Sequence, residues 1–229
     1  MRITPHWTQL ITAVAALMLS GSASAFVING DFETTSHVLG EHNGIYLDQM
    51  SNGQWDVYDN VPGWYTSSGA GIEIQRNTVV TAHSTSRYVE LDSHQSNSNS
   101  SMSQDLTLNA GHEYELQFWY RPRTSTPNDN GIFIYIDETS GSLLSNMVYS
   151  VNDQADSETA WELFTTVFTA AANNLTLSFS AYGLENSLGG FIDDISLSDV
   201  TSSDVPVPAP VMLMLAGALL ARRRVAMAD

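Results

Sequence analysis

The sequence predicts an all-β fold, a jelly-roll β-sandwich, and three observations predict it. Several short stretches alternate apolar and polar residues with a period of two. Turn signals rich in Gly, Asn and Ser separate them. Nothing between residues 26 and 204 sustains a helical period. The cleanest strand is 114–121, which puts Tyr114, Leu116, Phe118 and Tyr120 on a core face and Glu115, Gln117, Trp119 and Arg121 on the other. Stretches 132–136, 163–168 and 175–180 alternate in the same way. The turns fall at 109–111, 128–131, 172–174 and 187–190. Residues 93–103 read as a polar loop, and 137–159 as a long acidic connection with one short strand at 147–151. Short strands at this spacing pack as two facing sheets.

The chain is organised around 191–197, Phe-Ile-Asp-Asp-Ile-Ser-Leu. Strict alternation puts Phe191, Asp193, Ile195 and Leu197 on one face and Ile192, Asp194 and Ser196 on the other. Asp193 then interrupts an apolar face. An unpaired buried charge costs several kcal/mol, so a positive group or several donors should sit beside it. A hard cation such as calcium is a candidate, because bases are scarce. The acidic stretch 29–33, Asn-Gly-Asp-Phe-Glu, opens the same domain. The expectation is that the first and last strands meet, with the cation clasping them.

Composition narrows the partners. The chain has 229 residues, 25 acids, 8 bases, all Arg, and no Cys. Arg2, Arg222, Arg223, Arg224 and Asp229 lie outside 26–204. That leaves 24 acids against Arg76, Arg87, Arg121 and Arg123, a formal charge of −20. Nucleic acid is disfavoured as a partner, since phosphate binding needs basic patches, and so are anionic lipids. The lack of Cys excludes disulfides and thiol catalysis. A domain of about 180 residues buries about 70% of its unfolded surface, enough for a core without staples.

Both ends read as targeting segments. Arg2, an apolar run at 10–19 and a site ending Ala23-Ser24-Ala25 form a secretory signal peptide, 1–25, with cleavage after Ala25. At the other end, 205–229, a Pro-rich spacer (Val207, Pro208, Pro210) leads into an apolar run at 211–221 and then Arg222, Arg223 and Arg224. The run is short for a spanning helix, and the Arg cluster would stay cytoplasmic. This arrangement resembles the PEP-CTERM sorting signal of Gram-negative bacteria, with Ala209 where that motif usually carries Glu. The resemblance implies transient inner-membrane insertion, processing by an exosortase, and a place at the cell surface or in the exopolysaccharide or biofilm matrix. A plain C-terminal tail anchor is the alternative.

The order of motifs between the tails carries a second resemblance. The opening Asn29–Glu33 motif is followed by Pro62-Gly63-Trp64, Ile72-Glu73-Ile74, Arg87 to Asp92, Ser103 to Leu106, Gly111 to Phe118 and the closing Phe191 to Leu197. This order resembles galactose-binding-like jelly rolls, the fold of many carbohydrate-binding modules. It implies a structural calcium held by Glu33 and Asp193, with Asp31 as an optional ligand and backbone carbonyls completing the shell; the alternative is that Glu33 and Asp193 simply accept backbone hydrogen bonds.

For ligand binding, Gln117, Trp119 and Arg121 share the face of 114–121 opposite the core. A Trp beside a Gln and an Arg there stacks on a sugar ring and hydrogen-bonds its hydroxyls, and Arg121 suits a uronate or sulfate. The alternative is a loop-covered Trp with Arg121 in an internal ion pair. Trp55, Tyr58, Trp64 and Tyr65 cluster in a loop-rich stretch, as rim or as core. Catalytic motifs are missing: there is no Gly-x-Ser-x-Gly, no His-Glu-x-x-His and no phosphate loop. His37, His42, His83, His94 and His112 are scattered. The sequence thus predicts a non-enzymatic, calcium-stabilised, polysaccharide-binding sandwich. The alternatives are an adhesive matrix protein without a sugar site, or a polysaccharide hydrolase whose carboxylate pair is hidden among the acids.

Overall fold

The computed structural model describes residues 26–94, 98–126, 128–138, 149–151 and 160–201. The expected signal peptide, the expected C-terminal sorting segment and most of the acidic connection lie outside these residues. Alternation along the sequence becomes strands wherever one face can be buried. β1 (Trp55–Tyr58), β2 (Asn60–Val61), β3 (Trp64–Ser68), β4 (Ile72–Arg76) and β5 (Arg87–Glu90) come first. β6 (Ser101–Thr107), β7 (Glu113–Arg121), β8 (Gly131–Glu138), β9 (Tyr149–Val151), β10 (Glu162–Thr169), β11 (Asn174–Tyr182) and β12 (Phe191–Asp199) follow. One 3-10 turn, Leu47–Gln49, precedes them.

The strands form two six-stranded sheets, ordered β1-β4-β5-β12-β7-β10 and β2-β3-β6-β11-β8-β9. The pairings are antiparallel. From β5 onward the chain crosses between sheets at nearly every connection, which is the jelly-roll pattern. Between the sheets lies one core. It takes Tyr114, Leu116, Phe118 and Tyr120 from β7, Ile132 and Ile134 from β8, and Leu175, Leu177 and Phe179 from β11. Phe118 packs edge-on to Phe179 across the sandwich at 5.1 Å. Each such fully buried side chain contributes about 1.5–3 kcal/mol.

The expected loop-rich aromatic cluster is strand instead. Tyr58 and Trp64 are core residues and Tyr65 is exposed. The stretch was misread because its strands, β1 to β3, run only two to five residues and show no long alternation.

A second departure is larger. The residues of 191–197 do not alternate strictly. Asp193 lies opposite Trp119 and Ser196 opposite Gln117, so a β-bulge at Asp194 and Ile195 inserts one residue into β12. Before the bulge, Ile192 faces the sandwich core while Phe191 and Asp193 face outward. After it, Ile195 and Leu197 face the core. Asp193 therefore does not share a face with Ile195 and Leu197. The extra residue resets the period, and Asp194 sits in the left-handed region at φ 50° to make the turn.

The bulge frees the N–H of Ile195 from the ladder, and the carbonyl of Gly30 accepts it at 2.9 Å. This joins the opening segment to the closing strand, although that segment is not the first strand that was expected there. The opening motif is a set of locks. Asn29 donates from Nδ2 to the Pro62 carbonyl at 2.8 Å and accepts the Thr34 N–H at 2.8 Å. Trp64 donates its indole N–H to the Asn29 carbonyl. Gln104 on β6 bonds both backbone groups of Ile28, and Phe32 is 1% exposed in the core.

Gly30 is required by close approach. A Cβ there would meet the Ile195 carbonyl oxygen at 1.9 Å, a backbone atom that cannot step aside. Gly30→Ala should cost about 3 kcal/mol or more. Urea unfolding monitored by tryptophan fluorescence checks this, and an unchanged midpoint would remove the seam from the stability account.

Candidate functional site

The outer face of the first sheet is layered rather than bare. Residues 77–86, between β4 and β5, fold back across it. Tyr88 accepts the amide N–H groups of Val79 and Val80 at 3.0 Å and donates to Gln75 Oε1 at 2.7 Å. Trp161 donates to the Thr81 carbonyl at 2.9 Å. Ala82, Tyr88 and Phe191 form a small second core beneath this loop.

The loop reaches the bulge. Asp193 is 0% exposed, and amide donors surround it. The N–H groups of His83 and Ser84 go to one oxygen, at 2.9 and 3.2 Å, and that of Asp194 to the other, at 2.8 Å. Burial first, then the adjacent Asp194 charge, push its pKa up to about 8, against the pull of the three amides. Asp194 is held on both oxygens, by Ser84 Oγ at 2.6 Å and by the imidazole of His83. Ser84 and His83 thus both turn to Asp194, so this trio is not a nucleophile–base relay.

The second expected clasp residue is also engaged by the chain. Glu33 accepts the N–H of Ser86 at 2.7 Å and of Arg87 at 2.6 Å, and it pairs with the Arg87 guanidinium at 2.8 Å. So Asp193 and Glu33 bind opposite ends of one short run, 83–87. They tie the opening segment and β12 to that run, through amide N–H groups and one arginine. Asp31 stands apart, exposed, with Oδ1 accepting the Glu33 N–H at 3.3 Å. Among the described residues no three His, Asp or Glu side chains gather as a group able to hold a metal. Glu33 and Asp193 are thus bonded by the chain itself, and Asp31 makes only its local contact.

In front of the bulge lies an open groove of about 530 Å³. Asn29, Gly30 and Asp31 form one wall, and Asp194, Ile195 and Ser196 another. Gln117, Trp119 and Leu163 supply the β7 and β10 side. The register fixes the floor: Leu163 pairs with Trp119 and Thr165 with Gln117, so both neighbours share the outer face. His83 stacks flat on Trp119, centroids 3.8 Å apart.

Two of the three predicted ligand residues, Gln117 and Trp119, thus meet in one groove with Asp31, which was expected to bind metal. Arg121 does not line it. It stands two residues farther along β7, opposite Phe191. Asp194, Ser196 and Leu163 were missed, because only the bulge and the β7–β10 register bring them there. A smaller hollow of about 280 Å³ on the second sheet includes Ser67, Ser101, Ser178 and Ser180. Its serine hydroxyls are already bonded to serine hydroxyls, as Ser101 is to Ser180 at 2.6 Å.

Three outcomes follow from this chemistry. Removing one partner of a largely buried ion pair leaves the other uncompensated, so Glu33→Ala should cost about 3 kcal/mol. Wild-type melting temperature compared in EDTA and in millimolar calcium tests the expected cation: a calcium-dependent rise would place one at the clasp, and equal values would leave the amides and Arg87 as its only partners. For Asp193 the folded pKa lies above the unfolded value of about 3.9. The folded state keeps a proton that the unfolded chain releases, so this stabilisation is full below about pH 4 and is lost as pH rises towards about 8. Unfolding free energies measured across that range should fall more steeply for wild type than for Asp193→Asn. Parallel curves would show that Asp193 is ionised when folded.

The fold is similar to that of a Stig cyclase, Fisc from Fischerella sp. TAU, solved in complex with (3Z)-3-(1-methyl-2-pyrrolidinylidene)-3H-indole. The TM-score is 0.51 at 14% identity, over 80% of this chain and 100% of that one. At that identity the likeness is one of fold. A CBM4 structure aligns with a TM-score of 0.42 at 18% identity, over 76% of this chain and 99% of that one. TmCBM61 in complex with beta-1,4-galactotriose aligns with a TM-score of 0.42 at 20% identity, over 77% and 99%. No curated protein matches the sequence. Residues 25–198 match the family described as a protein of unknown function, DUF642, and the chain belongs to that family.

Proposed function

We propose that this protein binds polysaccharide in the groove at the β12 bulge, without catalysing its cleavage. One observation carries the reading: Trp119 and Leu163 lie side by side as an apolar floor, and Gln117, Ser196, Asp194 and Asp31 line the same groove with hydrogen-bonding groups. Sugar rings have one apolar C–H face and a rim of hydroxyls. A ring lying on Trp119 would present its hydroxyls to those groups. The other face of Trp119 is taken by His83, which fixes the indole before any ligand arrives. Sites of this kind are open on one side and admit a chain passing through rather than an end.

The secretory signal and the Arg-ended C-terminal segment support export and at least transient membrane tethering, with exosortase processing and a final place at the cell surface or in its polysaccharide matrix. There, a module that holds polymer would link the protein to the matrix.

Affinity electrophoresis through gels containing soluble polysaccharides tests this. Wild type should be retarded by at least one polymer, and Trp119→Ala should lose most of that retardation while keeping its circular dichroism spectrum. A folded Trp119→Ala that migrates like wild type would move the site elsewhere.

A further inference from the structure

Building on the polysaccharide reading, we infer that the groove selects neutral glycans and rejects those carrying uronate or sulfate. Two carboxylates, Asp31 and Asp194, line it and no basic side chain does. Asp194 is not free to withdraw, since Ser84 Oγ and the His83 imidazole hold its two oxygens and the bulge fixes its backbone.

The four bases of the domain are placed elsewhere. Arg87 pairs with Glu33. Arg123 binds both oxygens of the buried Glu90 and the Ser187 carbonyl. Arg76 bonds the Met50 carbonyl. Arg121 stands beside Phe191, outside the lining. Among the described residues, no arginine lines the groove to neutralise an anionic sugar.

The hydrogen-bond inventory points the same way. Ionised Asp31 and Asp194 only accept, and sugar hydroxyls donate to them in charge-assisted bonds. A uronate or sulfate oxygen also only accepts, so it offers these carboxylates no bond and adds like-charge repulsion. The groove is open, so added salt should weaken the rejection.

The test compares neutral probes (a mixed-linkage β-glucan, a β-galactan, a galactomannan) with charged ones (polygalacturonate, alginate, a sulfated galactan). It uses low-salt affinity gels at about pH 8, where ordinary imidazoles are neutral. Wild type should be retarded by a neutral polymer and by none of the charged ones. The double variant Asp31→Asn/Asp194→Asn should bind charged polymers at least tenfold more strongly than wild type does. Should the double variant misfold, Asp31→Asn alone, at an exposed side chain, should give a rise of about threefold. Wild-type retardation by a charged polymer as strong as by a neutral one would overturn the selectivity and leave polysaccharide binding standing. Retardation by none of the polymers, from folded protein, would overturn both.

Discussion

One extra residue in β12 is the constraint on which the rest of the molecule turns. Inserting it between Asp193 and Ser196 takes two amide N–H groups out of the ladder, and buried N–H groups must find partners. The Gly30 carbonyl takes that of Ile195, and the Asp193 carboxylate takes that of Asp194. The first acceptor brings the opening segment across the closing strand. The second puts a carboxylate on the outer face, where the loop carrying His83 and Ser84 closes over it. The same bulge turns Asp194 towards the groove. Chain closure, the buried acid and the binding surface are therefore consequences of one local irregularity.

Charge scarcity shapes what surrounds that bulge. With four bases in the domain, nearly every buried acid must be satisfied by amides, hydroxyls or imidazoles. Glu73 lies fully buried opposite Glu90, and Gln75 Nε2 donates to both, at 2.8 and 2.5 Å. Burial, and then Glu73, raise the Glu90 carboxyl well above the usual range, against the pull of Arg123. His94 caps Glu73 through its backbone N–H and Nδ1 and stacks on Trp55 at 4.0 Å. Within the described residues, the buried acids Asp56, Glu73, Glu90 and Asp193 all accept from the protein's own polar groups.

The strands were legible because period two survives wherever one face meets a core: β7, β8, β10 and β11 stand where alternation put them. The inward set of β7 and the outward pair Gln117 and Trp119 were legible for the same reason. The partners of Asp193 and Glu33 were not. Their donors sit in residues 83–87, about 110 residues before Asp193 and about 50 after Glu33, in a stretch with no periodic pattern to mark it. Leu163 was legible as a strand residue but not as a neighbour of Trp119, since register between distant strands leaves no local trace.

Sequence alone determined the all-β class, the positions of the long strands and the acidic balance of the chain. These depend on local periodicity and composition, which the chain carries wherever it folds. Tertiary structure decided which face Asp193 takes, what neutralises Glu33, and which side chains share a groove with Trp119. A bulge shifts every following side chain to the opposite face, and the pattern Phe-Ile-Asp-Asp-Ile-Ser-Leu reads equally well with or without it. Only the pairing of β12 with β7, and the Gly30 carbonyl waiting for a freed N–H, choose between the two.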